Sequence, residues 1–214
     1  NLAPDYGSVA GYQRDSGPGG ALFSAVLLEN MFTSSGATLH RARGCKQSVE
    51  LTLLVRVGSE RINKAGTLAA VAAEISEVLP AVEVRDQLLV ARQRLDSAAL
   101  IAINGGVRYL VLGGPLVVPS SMTVDDWAGA FVAHLFQRDE NIVSHGSGLV
   151  TGTGPLQAVL ELKQLLRKRG RFLKAGDLLA LGSIGFAVEP DTNGRFEAGF
   201  KTPFGSGRVV FALR

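Results

Sequence analysis

The chain has 214 residues, 46% of them hydrophobic and 19% charged, which is enough apolar material for one sizeable core and carries no compositional mark of disorder. Its net charge of +3 is spread along the sequence without interleaved aromatics, which argues against a nucleic-acid surface. No run of about 18 apolar residues occurs, so no membrane-spanning helix is expected, and the lone Cys45 cannot form an intramolecular disulfide.

Taken in chain order, residues 1–20 read as irregular, punctuated by Pro4, Gly7, Gly11 and the Gly17-Pro18-Gly19-Gly20 run. An apolar stretch runs from Leu22 to Met31, and Ser48 to Gly58 is β-branched and aliphatic, as in a buried strand. Thr67 is an N-cap candidate for a helix with apolar Leu68, Val71, Ala72, Ile75, Val78 and Leu79, which Pro80 would end. Three strands are expected next, at Ala81–Asp86, at Ala99–Gly105 and at Val107–Gly113, while Asp125–Leu135 fits helix or strand equally. Pro155 opens a second helix that Gly170 closes, and its basic end, Lys163 to Arg171, complements the helix dipole. Asp177–Gly185, Arg195–Phe200 and Gly207–Leu213 complete a set of Gly-bounded strands.

Chemistry begins with two carboxylates in apolar strands. Glu50 and Thr52 point to one face of theirs, because strand side chains alternate. Glu83 lies in the next strand, three residues after Pro80. Carboxylates among aliphatics are costly unless paired or coordinated, so the pair could hold a hard cation such as Mg²⁺. The alternative is one solvated face on each strand. His40, His134 and His145 share no metal-ligand spacing, and Leu149 after Ser147-Gly148 breaks the G-x-S-x-G pattern of a serine hydrolase. The Gly182-Ser183-Ile184-Gly185 strand end implies a close approach to the backbone, as a bound ligand would make.

Several segments in a fixed order resemble the 2-keto-4-pentenoate hydratase family of the fumarylacetoacetate hydrolase superfamily, which includes 4-oxalocrotonate decarboxylases. They are Gly152-Thr153-Gly154-Pro155-Leu156, Leu173-Lys174-Ala175-Gly176-Asp177 and Gly182-Ser183, with Gly11-Tyr12-Gln13, the Glu50 strand, the Glu83 segment and Ala102-Ile103-Asn104 upstream. The resemblance implies a single β-rich α+β domain over 1–214, a curled mixed sheet with flanking helices, and a missing N-terminal helical region. It also implies a homo-oligomer, a divalent Mg or Mn ion at Glu50, Thr52 and Glu83, and a small 2-oxo or 2-hydroxydienoic acid held by Asn104 and Ser183. The catalytic positions would be Gln13, which cannot ionise, and Asp86. A subgroup of similar proteins carries export signals, and with Asn1 in place of a methionine this favours an exported, periplasmic chain over a cytoplasmic one.

The family pattern is altered where chemistry needs it. Its Glu-x-Glu is Glu50-Leu51-Thr52, its Gly-Tyr-Lys lysine is Gln13, the acidic residue after its Leu-Phe is replaced by Ser24 and Ala25, and the aspartate of its Ala-Asp-Asn is Ile103. A neutral hydroxyl in place of a carboxylate, and an amide in place of an amine, predict weak or absent metal binding and weak or absent hydratase turnover. A non-catalytic binding protein for a small oxo acid is the alternative.

Overall fold

The computed structural model describes residues 6–41, 46–87, 96–129, 131–137, 141–148, 153–190 and 193–214. Cys45 and most of the glycine-rich approach to the second helix lie outside them.

An eight-stranded mixed sheet forms one layer, with β1 (Val9–Ser16), β2 (Leu22–Leu28), β3 (Phe32–Ser34), β5 (Lys46–Val57), β6 (Ile75–Gln87), β7 (Val107–Leu112), β8 (Leu116–Val117) and β11 (Leu178–Val188). The order is β2-β1-β11-β5-β6-β7-β3, and β8 adds to β6. The β1–β11 and β3–β7 pairs are parallel and the others antiparallel. A second sheet has the order β10-β9-β12-β13-β4, from β4 (Thr38–Leu39), β9 (Val132–Gln137), β10 (Asn141–Ser147), β12 (Gly194–Thr202) and β13 (Gly205–Leu213). The helices are α1 (Leu68–Ala72), α2 (Ser97–Ala102), α3 (Val124–Trp127) and α4 (Pro155–Lys168).

Alternation along the long strands explains the layering. One face of β5 and β6 presents Val49, Leu51, Leu53, Val82 and Val84 to a core shared with Phe196, Ala198, Phe211 and Leu156, Val159 and Leu162 of α4. The other face presents Leu54, Leu79 and Ala81 to a smaller cluster with Ala25, Leu27, Leu110, Leu178 and Ala180. Glu50, Thr52 and Glu83 share the parity of that second face.

Four local expectations need correction. Residues 9–16, read as irregular, form β1 between β2 and β11, and Gly11 leaves room for the Leu178 carbonyl, which a Cβ there would meet at 2.0 Å. The helix read across Leu68–Leu79 ends after one turn at Ala72, and Ile75–Gln87 is one strand that runs through Pro80. Pro80 falls where β6 changes partner from β8 (Val78 with Leu116) to β7 (Ala81 with Leu112), so its missing N–H costs the ladder little. The 97–106 segment is helix rather than strand. Asp96 accepts from the Ala99 N–H at 2.8 Å and caps α2, which runs into a 3₁₀ turn at Asn104–Gly106. Lys163, read as part of the basic end of the second helix, lies short of the last turn, which Arg167 and Lys168 occupy; it is buried and donates to the Ile62 and Ala65 carbonyls. Among the described residues no helix is long and apolar enough to cross a membrane.

Candidate functional site

Glu50 and Glu83 are direct cross-strand partners of β5 and β6. Their carboxylates meet a third residue, Arg85, two positions after Glu83 on the same face. The Arg85 Nε lies 2.7 Å from Glu83 Oε1 and 3.3 Å from Glu50 Oε1, and Nη1 lies 2.5 Å from Asp15 Oδ2. One guanidinium thus faces three carboxylates drawn from β1, β5 and β6. Nη1 also contacts the Gly105 carbonyl at 3.4 Å, and Nη2 reaches Glu83 Oε2 at 3.4 Å.

The rest of the cluster comes from β1, β5 and β11. Gln13, fully buried, donates through Nε2 to both Glu83 oxygens at 3.1 and 3.0 Å, which leaves its Oε1 buried without a partner. The Ser183 hydroxyl donates to Glu50 Oε2, and Ser48 Oγ approaches Glu50 Oε1 at 3.4 Å. Burial raises the Glu83 carboxyl from 4.5 to about 7; Arg85 pulls it down, while Glu50 and Asp15 push it up again. Burial alone would lower the Arg85 guanidinium, but the three carboxylates, Glu83 foremost, raise it, so it stays charged.

Other residues singled out in the sequence go elsewhere. Thr52 shares the face of Glu50 but donates its hydroxyl to the Gly182 carbonyl at 2.9 Å. Asp86 is one residue out of phase with Glu83 and Arg85, so it turns to the opposite face of β6, where Gln47 Nε2 donates to it at 2.7 Å and Arg108 at 2.5 Å. It does not join the cluster. Asn104 acts on the backbone: its Oδ1 accepts from the Val26 N–H at 2.7 Å and its Nδ2 donates to the Val26 carbonyl at 2.8 Å. This pair imitates a ladder rung and fastens β2 to the turn before β7, drawing the sheet into its curl. Asn104 has φ 54°, a conformation asparagine tolerates better than most residues. His145 faces His134 across the β9–β10 ladder of the second sheet, ring centroids 6.2 Å apart.

The close approach implied at Gly185 is made by the chain itself. A Cβ on Gly185, whose φ is +77°, would stand 2.3 Å from the His145 carbonyl oxygen, and one on Gly146 would stand 2.3 Å from the Gly185 nitrogen. The paired glycines let β10 of one sheet cross against β11 of the other.

Sequence reasoning missed Asp15 and Arg85. Both could be found by alternation. Arg85 is two residues from Glu83 in a strand, and Asp15 is two from Gln13 in a segment read as irregular.

No protein-family model matches the chain. Among solved structures, 4-oxalocrotonate decarboxylase from Pseudomonas putida G7, complexed with magnesium and adipate, superposes with a TM-score of 0.82 at 19% identity, covering 99% of this chain and 81% of that one. Fumarylpyruvate hydrolase from Pseudomonas aeruginosa, in complex with Mn²⁺ and pyruvate, superposes with a TM-score of 0.65 at 11% identity, covering 95% and 89%. The architecture is that of the fumarylacetoacetate hydrolase superfamily: one β-rich α+β unit around a curled mixed sheet. In sequence, 2-keto-4-pentenoate hydratases 2 and 1 of Dechloromonas aromatica (strain RCB) are each 24% identical, over 187 and 172 residues. The chain is thus similar in sequence to these hydratases and in fold to that decarboxylase, and at these identities the likeness to the solved structures fixes the fold. It spans about two thirds of the length of those hydratases, 69% and 63%.

The donor set does not fit the divalent ion that the fold family implies. Of the three positions assigned to it by resemblance, Thr52 is neutral and committed to Gly182, and the two carboxylates both face a guanidinium. Among the described residues no three His, Cys, Asp or Glu side chains form a group that could hold a metal.

Proposed function

We propose that the chain is a hydratase-like protein that takes a small 2-oxo or 2-hydroxydienoic acid at the Gln13–Glu50–Glu83–Arg85–Ser183 cluster. The observation that carries the reading is the convergence of these side chains, from four strands, on one face of a fold whose sequence relatives are named hydratases. Neighbours of the same fold are complexed with small acids, adipate and pyruvate. In this chain the cluster supplies a permanent cation at Arg85, a hydroxyl at Ser183 and a carboxyl at Glu83 able to hold or release a proton near neutrality. Asn104 holds the wall of the site rather than the ligand.

Because Gln13 cannot ionise and the donor set does not suit a dication, binding without efficient turnover is the finer reading. The same resemblance supports a homo-oligomer and an exported chain as further parts of the proposal; light scattering and fractionation of the native host cells test these. The direct experiment measures pyruvate and 2-hydroxypenta-2,4-dienoate binding by calorimetry with and without chelator, then dienoate consumption with and without Mn²⁺. Chelator-insensitive binding with weak or no turnover is expected. Absence of binding would overturn the site. Turnover at an ordinary enzymatic rate of ~1–10³ per second that needs Mn²⁺ would overturn the reading of the chemistry.

A further inference from the structure

The structure assigns to Arg85 the role of a built-in cation: its guanidinium stands where a dication would have to stand and closes the site to metal. The inference concerns the same site as the proposed function but rests on charge geometry alone, so it survives even if no oxo acid binds.

Three observations carry it. Arg85 is the charge centre of the cluster, with Glu83, Glu50 and Asp15 all against its nitrogens at 2.7, 3.3 and 2.5 Å. Carboxylates this buried need a counter-charge, and among the described residues Glu83, 1% exposed at its side chain, finds it in Arg85. The oxygens that a dication would recruit are also present. The Gln13 Oε1 is buried and unpartnered beside Glu83, and Glu50 and Glu83 lie directly opposite each other on adjacent strands. What blocks a metal is therefore both the missing third carboxylate at Thr52 and the resident positive charge. A dication would have to expel the guanidinium from three ion pairs and leave it next to a second cation.

The two obstacles make separable predictions. Restoring a carboxylate with Thr52→Glu leaves Arg85 in place, so it should give little metal affinity. Thr52→Glu with Arg85→Ala removes both obstacles and should bind Mn²⁺ about a hundredfold more tightly than Thr52→Glu alone. Binding is read by electron paramagnetic resonance of free Mn²⁺ and by the rise in melting temperature on adding Mn²⁺. Wild type should show no binding below about 1 mM, the weak end of protein sites for hard divalent ions, and no change in melting temperature with chelator. Arg85→Lys in the Thr52→Glu background keeps the positive charge and should keep the site closed. Equal Mn²⁺ affinity in Thr52→Glu and in the double variant would make Arg85 a bystander and overturn the inference. So would sub-millimolar Mn²⁺ binding by wild type, which needs no variant to fold. If the double variant does not fold, Thr52→Glu with Arg85→Gln keeps the side-chain volume without the charge, and the same hundredfold gain is expected from it.

Discussion

Replacing Glu83 by glutamine removes a titrating proton site from the buried interior of the cluster. Burial lifts this carboxyl from 4.5 to about 7 in spite of Arg85, so the folded protein holds the proton more tightly than the unfolded chain does. A raised folded pKa stabilises the fold fully below the unfolded value and loses that contribution as pH rises through the folded value. From 4.5 to about 7 the contribution amounts to roughly 3 kcal/mol, with little screening to discount because the side chain is 1% exposed. Wild type should therefore lose stability between pH 4.5 and 8 relative to Glu83→Gln, whose amide cannot titrate and can still accept from Gln13. Urea unfolding of both proteins at half-unit pH intervals measures the effect, read as the gap between the two midpoints at constant m-value. The gap should shift in favour of the variant by roughly 3 kcal/mol across that window. Parallel curves would refute the reasoning: they would mean that Arg85 keeps Glu83 ionised throughout and that attraction outweighs burial.

The curl and the crossing of the sheets make further predictions. Asn104→Ala removes both hydrogen bonds to Val26 and should cost about 1–3 kcal/mol in urea unfolding, with hydrogen exchange of the Val26 amide accelerated and that of the β5–β6 ladder unchanged. Gly185→Ala should cost more than about 2 kcal/mol, because its Cβ would meet the His145 carbonyl at 2.3 Å and the new residue would keep a φ of +77°; Gly176→Ala, at a φ of +91° with no atom within 4 Å, carries the conformational penalty without the clash and should cost less.

Much of the fold was legible where one signal dominated. The β-branched run at Ser48–Gly58, the Pro155 start and Gly170 stop of α4, and the three C-terminal strands all appear where pattern and punctuation place them. Ambiguity arose where apolar residues satisfied two periods at once. The Leu68–Leu79 pattern fits a helix, yet its second half pairs with β5 and gains more from the sheet than from helical continuation. Pro80 looked like a terminator because its neighbours in the sheet, and the gap between β7 and β8, cannot be seen in sequence. In the site, Glu50 and Glu83 announced themselves as carboxylates among aliphatics. Arg85 did not, since a charged residue near a strand end reads as solvated until the curled sheet brings up Asp15 of β1, a strand that does not pair with β6. Asp86 was chosen for its chemistry and lost to strand parity, and Asn104 for family position, although its amide is used up in closing the curl.

The central claim is that a guanidinium, rather than a metal ion, balances the carboxylates of this hydratase-like site. A crystal structure of the wild-type protein grown with millimolar MnCl₂ and measured at the manganese absorption edge tests it most directly. The account predicts Arg85 in place between Asp15, Glu50 and Glu83, with no anomalous peak within reach of the Glu50 and Glu83 oxygens. A manganese ion bound by those two carboxylates, with Arg85 swung away, would contradict it.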